Sequence, residues 1–179
     1  SELFSVRSWI LEKVLVQKVE DIEQLSRSLD ENSSRVWVNT PRREMKWHQQ
    51  IKDNLDMDIE LNFSVEGGNW GLACNSIHFL DLFSWWSGQV IEKINTTGLE
   101  NHWFESKRQG FWEVYGTIEA LLSNGTSASI TSSPSKDKVK IGISNGLEWN
   151  ICEEDGEAKR SDKFKLVGSV ERQSTITTA

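Results

Sequence analysis

Four polar side chains on an otherwise apolar stretch are the residues best spaced to do chemistry. Cys74, Asn75, His78 and Asp81 fall at i, i+1, i+4 and i+7 between Gly71 and Trp86, so on a helix they share a face. Leu72, Ala73, Phe79, Leu80, Leu82, Phe83 and Trp86 supply its buried sides. A polar stripe set among such neighbours must reach partners or a ligand cavity, because burying a polar group without a hydrogen bond is costly. Two readings are open for His78: a core histidine satisfied by Asp81 or by backbone, or a residue lining a substrate pocket. A third pairs Cys74 with His78 as a thiol catalyst, since imidazole one turn away stabilises a thiolate. Against it, cysteines in apolar mid-helix positions are usually inert. A metal site from Cys74, His78 and His48 or Cys152 has no supporting ligand spacing, and no metal is expected.

Two further groups carry charge at element ends. Arg42 and Arg43 follow Pro41. They read either as a bidentate grip on a substrate carboxylate or phosphate, or as a solvated turn. Glu12 and Lys13 interrupt the apolar run 9–16, where the residues alone suggest strand-end charges paired with each other. His102, Trp103, Lys107 and Arg108 form a polar-aromatic stretch, read as a loop over the sheet or as pocket lining.

The elements that must position these residues follow from periodicity. Residues 9–16 read as a buried strand. Residues 19–29 carry Val19, Ile22, Leu25 and Leu29 at helical spacing, with Glu20, Asp21 and Glu23 near the start, where the helix dipole favours them. Residues 35–39 read as a second strand, which completes a βαβ unit. Pro41 marks a boundary. Beyond it the pattern predicts a polar helix over 44–55, a strand over 58–65, a Gly67-Gly68 turn, and the apolar helix 71–86 ending near Gly88. Strands follow at 90–95, 110–122, 126–132, 138–144, 147–152 and 163–170, with hairpin signals at Asn124-Gly125 and Asn145-Gly146. The fold class is an α/β start joined to an α+β body with a mostly antiparallel sheet.

Composition narrows the partners. With 20 Lys+Arg against 27 Asp+Glu the formal charge is −7, which lacks the basic footprint of a nucleic-acid binder. Hydrophobic residues at 37% and charged residues at 26% read as a soluble globular domain. No apolar run approaches the roughly 20 residues that cross a bilayer, so no membrane partner is expected. The start at Ser1 shows no signal-peptide pattern, and two cysteines make no disulfide framework. A reducing cytoplasm is expected, where the sequons at Asn32, Asn62, Asn95 and Asn124 have no role. Nine tryptophans require a large core or an adhesive surface.

Three local patterns then occur in one order: Glu12-Lys13 at a strand end, Val38-Asn39-Thr40-Pro41-Arg42-Arg43, and Gly67-Gly68-Asn69-Trp70-Gly71-Leu72-Ala73-Cys74-Asn75-Ser76-Ile77-His78-Phe79-Leu80-Asp81-Leu82, ending in Trp85-Trp86-Ser87-Gly88. Together they resemble the glucose–fructose oxidoreductase and inositol dehydrogenase (Gfo/Idh/MocA) family. The family pattern is Glu-Lys-Pro, a strand ending in Arg, and a Gly-Gly turn into a helix bearing Asp-x-Gly-x-His-x-x-Asp. The resemblance implies a fragment of an NAD(P)-dependent oxidoreductase acting on a sugar or sugar-derived substrate. Residues 1–40 would be the C-terminal remnant of a Rossmann domain, and 41–179 an α+β substrate-binding and oligomerisation domain with helices covering one face of a large open sheet.

The same resemblance implies roles. Lys13 and His78 become catalytic, Lys13 beside the nicotinamide as the group that takes the hydroxyl proton while hydride leaves. Glu12 and Lys13 flank the cofactor, and Arg42, Arg43, Asn75 and Asp81 meet the substrate, for which the arginines suggest an acidic or nucleotide-linked compound. NAD or NADP belongs to the full-length parent; no cofactor is expected on this chain, which alone is expected to be inactive and to pair as a homodimer through its sheet face. The chain departs from the pattern at Val14 in place of proline, Cys74 in place of the usual aspartate and Ser76 in place of glycine. A thiol cannot replace the carboxylate's charge, so the standard Lys–Asp–His site is altered. The rival to an enzyme is a non-catalytic interaction module, with Trp112, Tyr115 and Trp149 on an exposed sheet.

Overall fold

The computed structural model describes residues 7–13, 15, 16, 18–31 and 35–167. The chain divides into two compact units, Ser1–Pro41 and Arg42–Ala179. In the first, β1 (Ser8–Leu11) and β2 (Arg35–Val38) pair in parallel, with Ser8 opposite Arg35 and Leu11 opposite Val38, and α1 (Val19–Glu31) connects them. This is the βαβ unit read from the sequence, with β1 shorter than the apolar run that announces it. None of its described residues is buried. Of the periodic residues of α1, Leu25 and Leu29 are half-buried, whereas Ile22 is 50% and Val19 77% exposed.

The second unit is built on an eight-stranded sheet of order β10-β9-β8-β7-β3-β6-β5-β4. Its strands are β3 (Asn62–Gly68), β4 (Ile91–Glu105), β5 (Trp112–Leu122), β6 (Ser127–Ser133), β7 (Lys140–Ser144), β8 (Glu148–Cys152), β9 (Glu157–Arg160) and β10 (Lys165–Val167). Only the central β3–β6 pair is parallel; every other pair in this sheet is antiparallel. A 3-10 turn over Pro41–Glu44 precedes α2 (Lys46–Lys52), and α3 (Leu72–Ser87) follows β3 and ends at Gly88, as that glycine's position predicts.

Alternation sets which face is covered. Phe63, Val65, Ile118, Ala120, Ala128, Ile130, Ile141, Ile143, Trp149 and Ile151 point into a core shared with Phe79, Leu82, Phe83 and Trp86 of α3 and with Trp47 and Ile51 of α2. The Phe63 and Phe83 rings stack 4.5 Å apart and 3° from parallel. The opposite parity is small and polar along the centre of the sheet, with Ser64, Thr117, Ser129, Thr131 and Gly142. The tryptophans follow the same division: Trp47, Trp86 and Trp149 are buried, Trp70 and Trp85 half-buried, and Trp9, Trp37, Trp103 and Trp112 exposed.

Several boundaries differ from expectation for physical reasons. The helix expected over 44–55 is cut to α2 because Pro41 starts a separate 3-10 turn and Asp53 is the C-cap of α2, after which Asn54 N–H donates to Ile51 O in a tighter turn. Gly67 and Gly68 are not a turn; they extend β3, pairing with Ser132 and Ser133. The strand expected at 90–95 runs on to Glu105, through register shifts that no local pattern signals. Strand β9 is missed because Glu157-Ala158-Lys159-Arg160 offers one apolar residue, and it forms because Cys152 and Trp149 extend the sheet towards it. Residues 168–170 of the strand expected at 163–170 lie outside the described residues.

Candidate active site on the third helix

Helix α3 has an unusual start. Its N-cap position is Gly71, which makes no side-chain cap, and its first turn holds no acidic residue. The exposed amide ends of a helix attract negative charge, and here the acceptor arrives from elsewhere in the sequence. Glu113 of β5, 5% exposed, accepts from the backbone N–H of Ala73 at 2.8 Å and of Cys74 at 3.3 Å. Gly71 sits at φ +80, and a Cβ there would lie 2.9 Å from both Glu113 Oε1 and Asn75 Nδ2. Asn75 donates to the carbonyl of Trp70 at 2.8 Å, which closes the turn into the helix. Trp70 in turn donates its ring N–H to Thr131 O at 3.0 Å.

The stripe itself is present: Cys74, Asn75, His78 and Asp81 are all half-buried along α3, one turn or less apart. Asp81 receives Arg43, whose Nε donates at 2.7 Å and whose second guanidinium nitrogen closes a bidentate pair. The hydrogen bond from Arg43 to Asp81 raises the guanidinium pKa further. Arg42 makes a second bidentate pair, with Nε and Nη2 each 2.8 Å from Glu153 in the turn after β8. Its guanidinium also lies 4.5 Å from the centre of the Phe79 ring of α3, a cation–π contact. Glu153 is shared with His48 Nε2 at 2.8 Å. Burial pushes the Glu153 carboxyl up, but the hydrogen bonds from His48 and Arg42 outweigh it and hold the pKa at about 2. His48 is fully buried between the rings of Trp47 and Trp86, and its carbonyl accepts from Trp86 Nε1 at 3.1 Å.

The structure therefore brings Arg43 and Asp81 directly together and gathers Arg42, Glu153, His48 and Phe79 beside them. Cys74, Asn75 and His78 share α3. Glu12 and Lys13 belong to the first unit, where Glu12 accepts from Asn39 Nδ2 at 2.6 Å and Lys13 is half-buried just after β1. Sequence reasoning misses Glu113 and Glu153. Each is a single carboxylate 40 or 111 residues from the group it serves, and no local pattern marks it. His48, weighed as a metal ligand, is instead committed to Glu153. Among the described residues no group of three or more His, Cys, Asp or Glu is placed to hold a metal. Trp149 is a correction: it lies in the core at 3% exposure, on the helix side of the sheet, not on an exposed face. Trp112 is 58% exposed, and Tyr115 packs on Phe104 with ring centres 4.6 Å apart.

The second unit is thus a long, mostly antiparallel sheet with one face under α2 and α3. No protein-family model matches the chain, and no curated protein matches it in sequence. Solved structures do match. The dehydrogenase MviM from Clostridium difficile is 16% identical, with a TM-score of 0.62 over 90% of this chain and 55% of that one. UDP-N-acetylglucosamine 3-dehydrogenase GnnA from Acidithiobacillus ferrooxidans is 13% identical, with a TM-score of 0.64 over 89% and 54%. A super-repressor mutant of Gal80p from Saccharomyces cerevisiae is 12% identical, with a TM-score of 0.70 over 93% and 56%. The chain thus has the fold of the C-terminal part of Gfo/Idh/MocA-type dehydrogenases, and it spans about half the length of the solved structures it matches. Among the described residues no helix is long and apolar enough to cross a membrane.

Proposed function

We propose that the chain supplies the substrate pocket and pairing sheet of an NAD(P)-dependent oxidoreductase acting on a sugar-type substrate, and that its first unit is the end of a Rossmann domain. One observation carries this reading. The β1–β2 pair is parallel yet bare on its surface, with Trp9 43%, Ile10 61%, Trp37 53% and Val38 40% exposed. Parallel sheets are stable when both faces are covered, and a two-stranded pair is marginal alone. Such a unit fits as the end of a larger dinucleotide-binding sheet.

In this proposal Lys13, at the exit of β1, takes the substrate hydroxyl proton, and His78 on α3 holds the substrate oxygen or shares the proton. NAD or NADP would accept or deliver the hydride when bound by the full-length protein. Arg42, Arg43, Asn75 and Asp81 frame the substrate, and Glu12 lies beside the cofactor. A homodimer through the small, polar open face of the sheet completes the assembly. Cys74 and Cys152 are not joined to each other by a disulfide, and a reducing cytoplasm is the compartment of this proposal.

The test is to read the coding sequence upstream of Ser1 and to titrate NADH. A glycine-rich strand-to-helix turn is expected upstream. The extended protein should quench NADH fluorescence, the 179-residue chain should not, and Lys13→Ala should remove turnover without removing NADH binding. An in-frame stop directly upstream, or NADH binding by the short chain, refutes the fragment reading. A monomer by light scattering refutes the pairing.

A non-catalytic reading has two observations in its favour: Cys74 stands where the family pattern has a carboxylate, and one structural neighbour is a super-repressor mutant of Gal80p. An extended protein that binds NADH yet turns over no polyol would select that reading.

A further inference from the structure

We infer that Asn124 is a site of spontaneous covalent modification, at which the side-chain amide is lost through a succinimide, and that the second Asn-Gly pair, at Asn145, is protected by the fold. The chemistry needs a following residue whose backbone nitrogen can reach the asparagine side chain, and glycine hinders that approach least. The sequence contains two Asn-Gly pairs, Asn124-Gly125 and Asn145-Gly146. Both sit in tight connections between antiparallel strands, β5–β6 and β7–β8. As sequence they are equivalent; the structure makes them unequal.

Asn124 is exposed at its hairpin tip. Its Oδ1 accepts from the Thr126 backbone N–H at 3.0 Å. That bond turns the side chain back towards the backbone that follows it, and it polarises the Cγ carbonyl towards attack. One bond opposes the reaction: the Gly125 N–H is donated to Leu122 O at 3.0 Å. Hairpin-tip bonds of this kind open at low cost because little else depends on them.

Asn145 is 5% exposed. Its Oδ1 accepts from Asp56 N at 2.6 Å, and its Nδ2 donates to Asp56 O at 2.7 Å and Ile59 O at 3.1 Å. Attack by Gly146 would require all three bonds to break while the group stays buried. At typical net values for three hydrogen bonds this slows the reaction by about a hundredfold.

The step balances without any outside reagent but water. The Gly125 nitrogen forms a bond to Asn124 Cγ, the Cγ–Nδ2 bond breaks, and ammonia leaves with the displaced amide proton. Water then opens the ring at Cγ to give aspartate, or at the backbone carbonyl to give isoaspartate. The first product places a new negative charge at the tip. The second inserts a methylene into the backbone between Leu122 and Thr126, whose mutual bond at 2.9 Å closes the hairpin.

The experiment is an incubation of the full chain in mildly alkaline buffer, followed by peptide mapping. Each peptide is scored for the mass gain of –NH2 becoming –OH and for isoaspartate. In the folded chain the peptide with Asn124 is expected to convert, and the peptide with Asn145 to stay intact over the same period. In denaturant the two should convert at similar rates, which shows that the fold makes the difference. Comparable conversion of Asn145 and Asn124 in the folded chain overturns the inference, as does an Asn124 peptide that stays intact when folded yet converts when unfolded.

Discussion

Replacing Glu113 tests whether a carboxylate from β5 holds the start of α3. Glu113→Ala leaves the amides of Ala73 and Cys74 without their acceptor in a place where the residue itself is 5% exposed. Each unsatisfied donor costs about 1–1.5 kcal/mol, and the lost charge at the helix N-terminus adds up to about 1 kcal/mol. Against this, the variant no longer buries a carboxylate, which returns part of the loss. The net expectation is a loss of about 2–3 kcal/mol, or roughly 6–10 °C in Tm for a unit of this size. Glu113→Gln keeps one acceptor oxygen but loses the charge and points a donor at a donor, so about half the loss is expected. Urea unfolding followed by tryptophan fluorescence reads both, since Trp70 lies just before α3 and Trp86 in its last turn. The Cys74 amide is one of the two released, so Cys74 should also react faster with a thiol reagent in Glu113→Ala. An alanine variant within about 0.5 kcal/mol of wild type, the range of an ordinary surface change, refutes the capping role. A glutamine variant as unstable as alanine refutes the part played by its remaining acceptor.

Two further outcomes follow from the same packing. Glu153 has an ordinary value of 4.5 and is held at about 2 in the folded chain. A depressed carboxyl contributes stability that is fully present above pH 4.5 and is lost as pH falls towards 2. That contribution is on the order of 3 kcal/mol, and unfolding curves from pH 6 to pH 2 should show it in wild type and lack most of it in Glu153→Gln; parallel pH profiles would refute it. Gly71→Ala should cost about 2–3 kcal/mol and Gly110→Ala about 1–2, because the two share nearly the same φ, +80 and +81, but only Gly71 has Asn75 and Glu113 atoms at 2.9 Å. Equal losses would show that backbone strain alone matters at Gly71.

The fold is legible wherever periodicity is strong and local. The alternation of β5 and β6 and the apolar wrap of α3 are read within a residue or two. So are α1 and β2, because amphipathic spacing and an acidic first turn mark α1 without help from the rest of the chain, whereas β1 ends at Leu11 and not at residue 16. What escapes is whatever depends on distant partners. Strand β9 has almost no apolar content and exists because β8 offers it an edge. The far half of β4 continues because β5 is long enough to pair with it. At the site the pattern is the same. The stripe of Cys74, Asn75, His78 and Asp81 is legible because helical spacing is local, and Arg42 and Arg43 are visible as a charged pair after a proline. Their partners are not, since Asp81 is 38 residues from Arg43 and Glu153 is 111 from Arg42.

Those hidden partners change what the arginines can do. In isolation Arg42 and Arg43 suggest a grip on an acidic or nucleotide-linked substrate. In the folded chain each already holds a carboxylate in bidentate geometry, and the third anion-attracting feature, the N-terminus of α3, holds Glu113. A substrate carboxylate would have to displace a group tethered to the same molecule, whose effective concentration exceeds that of a free metabolite. Displacement would also leave Glu153, which sits between Arg42 and the buried His48, with one partner fewer. The arginines are therefore better suited to fixing α3 against the 3-10 turn and the turn after β8 than to selecting charge. In the proposed enzyme, selectivity then falls to the neutral or switchable groups along α3, Asn75 and His78, and these suit hydroxyl and carbonyl oxygens better than anions.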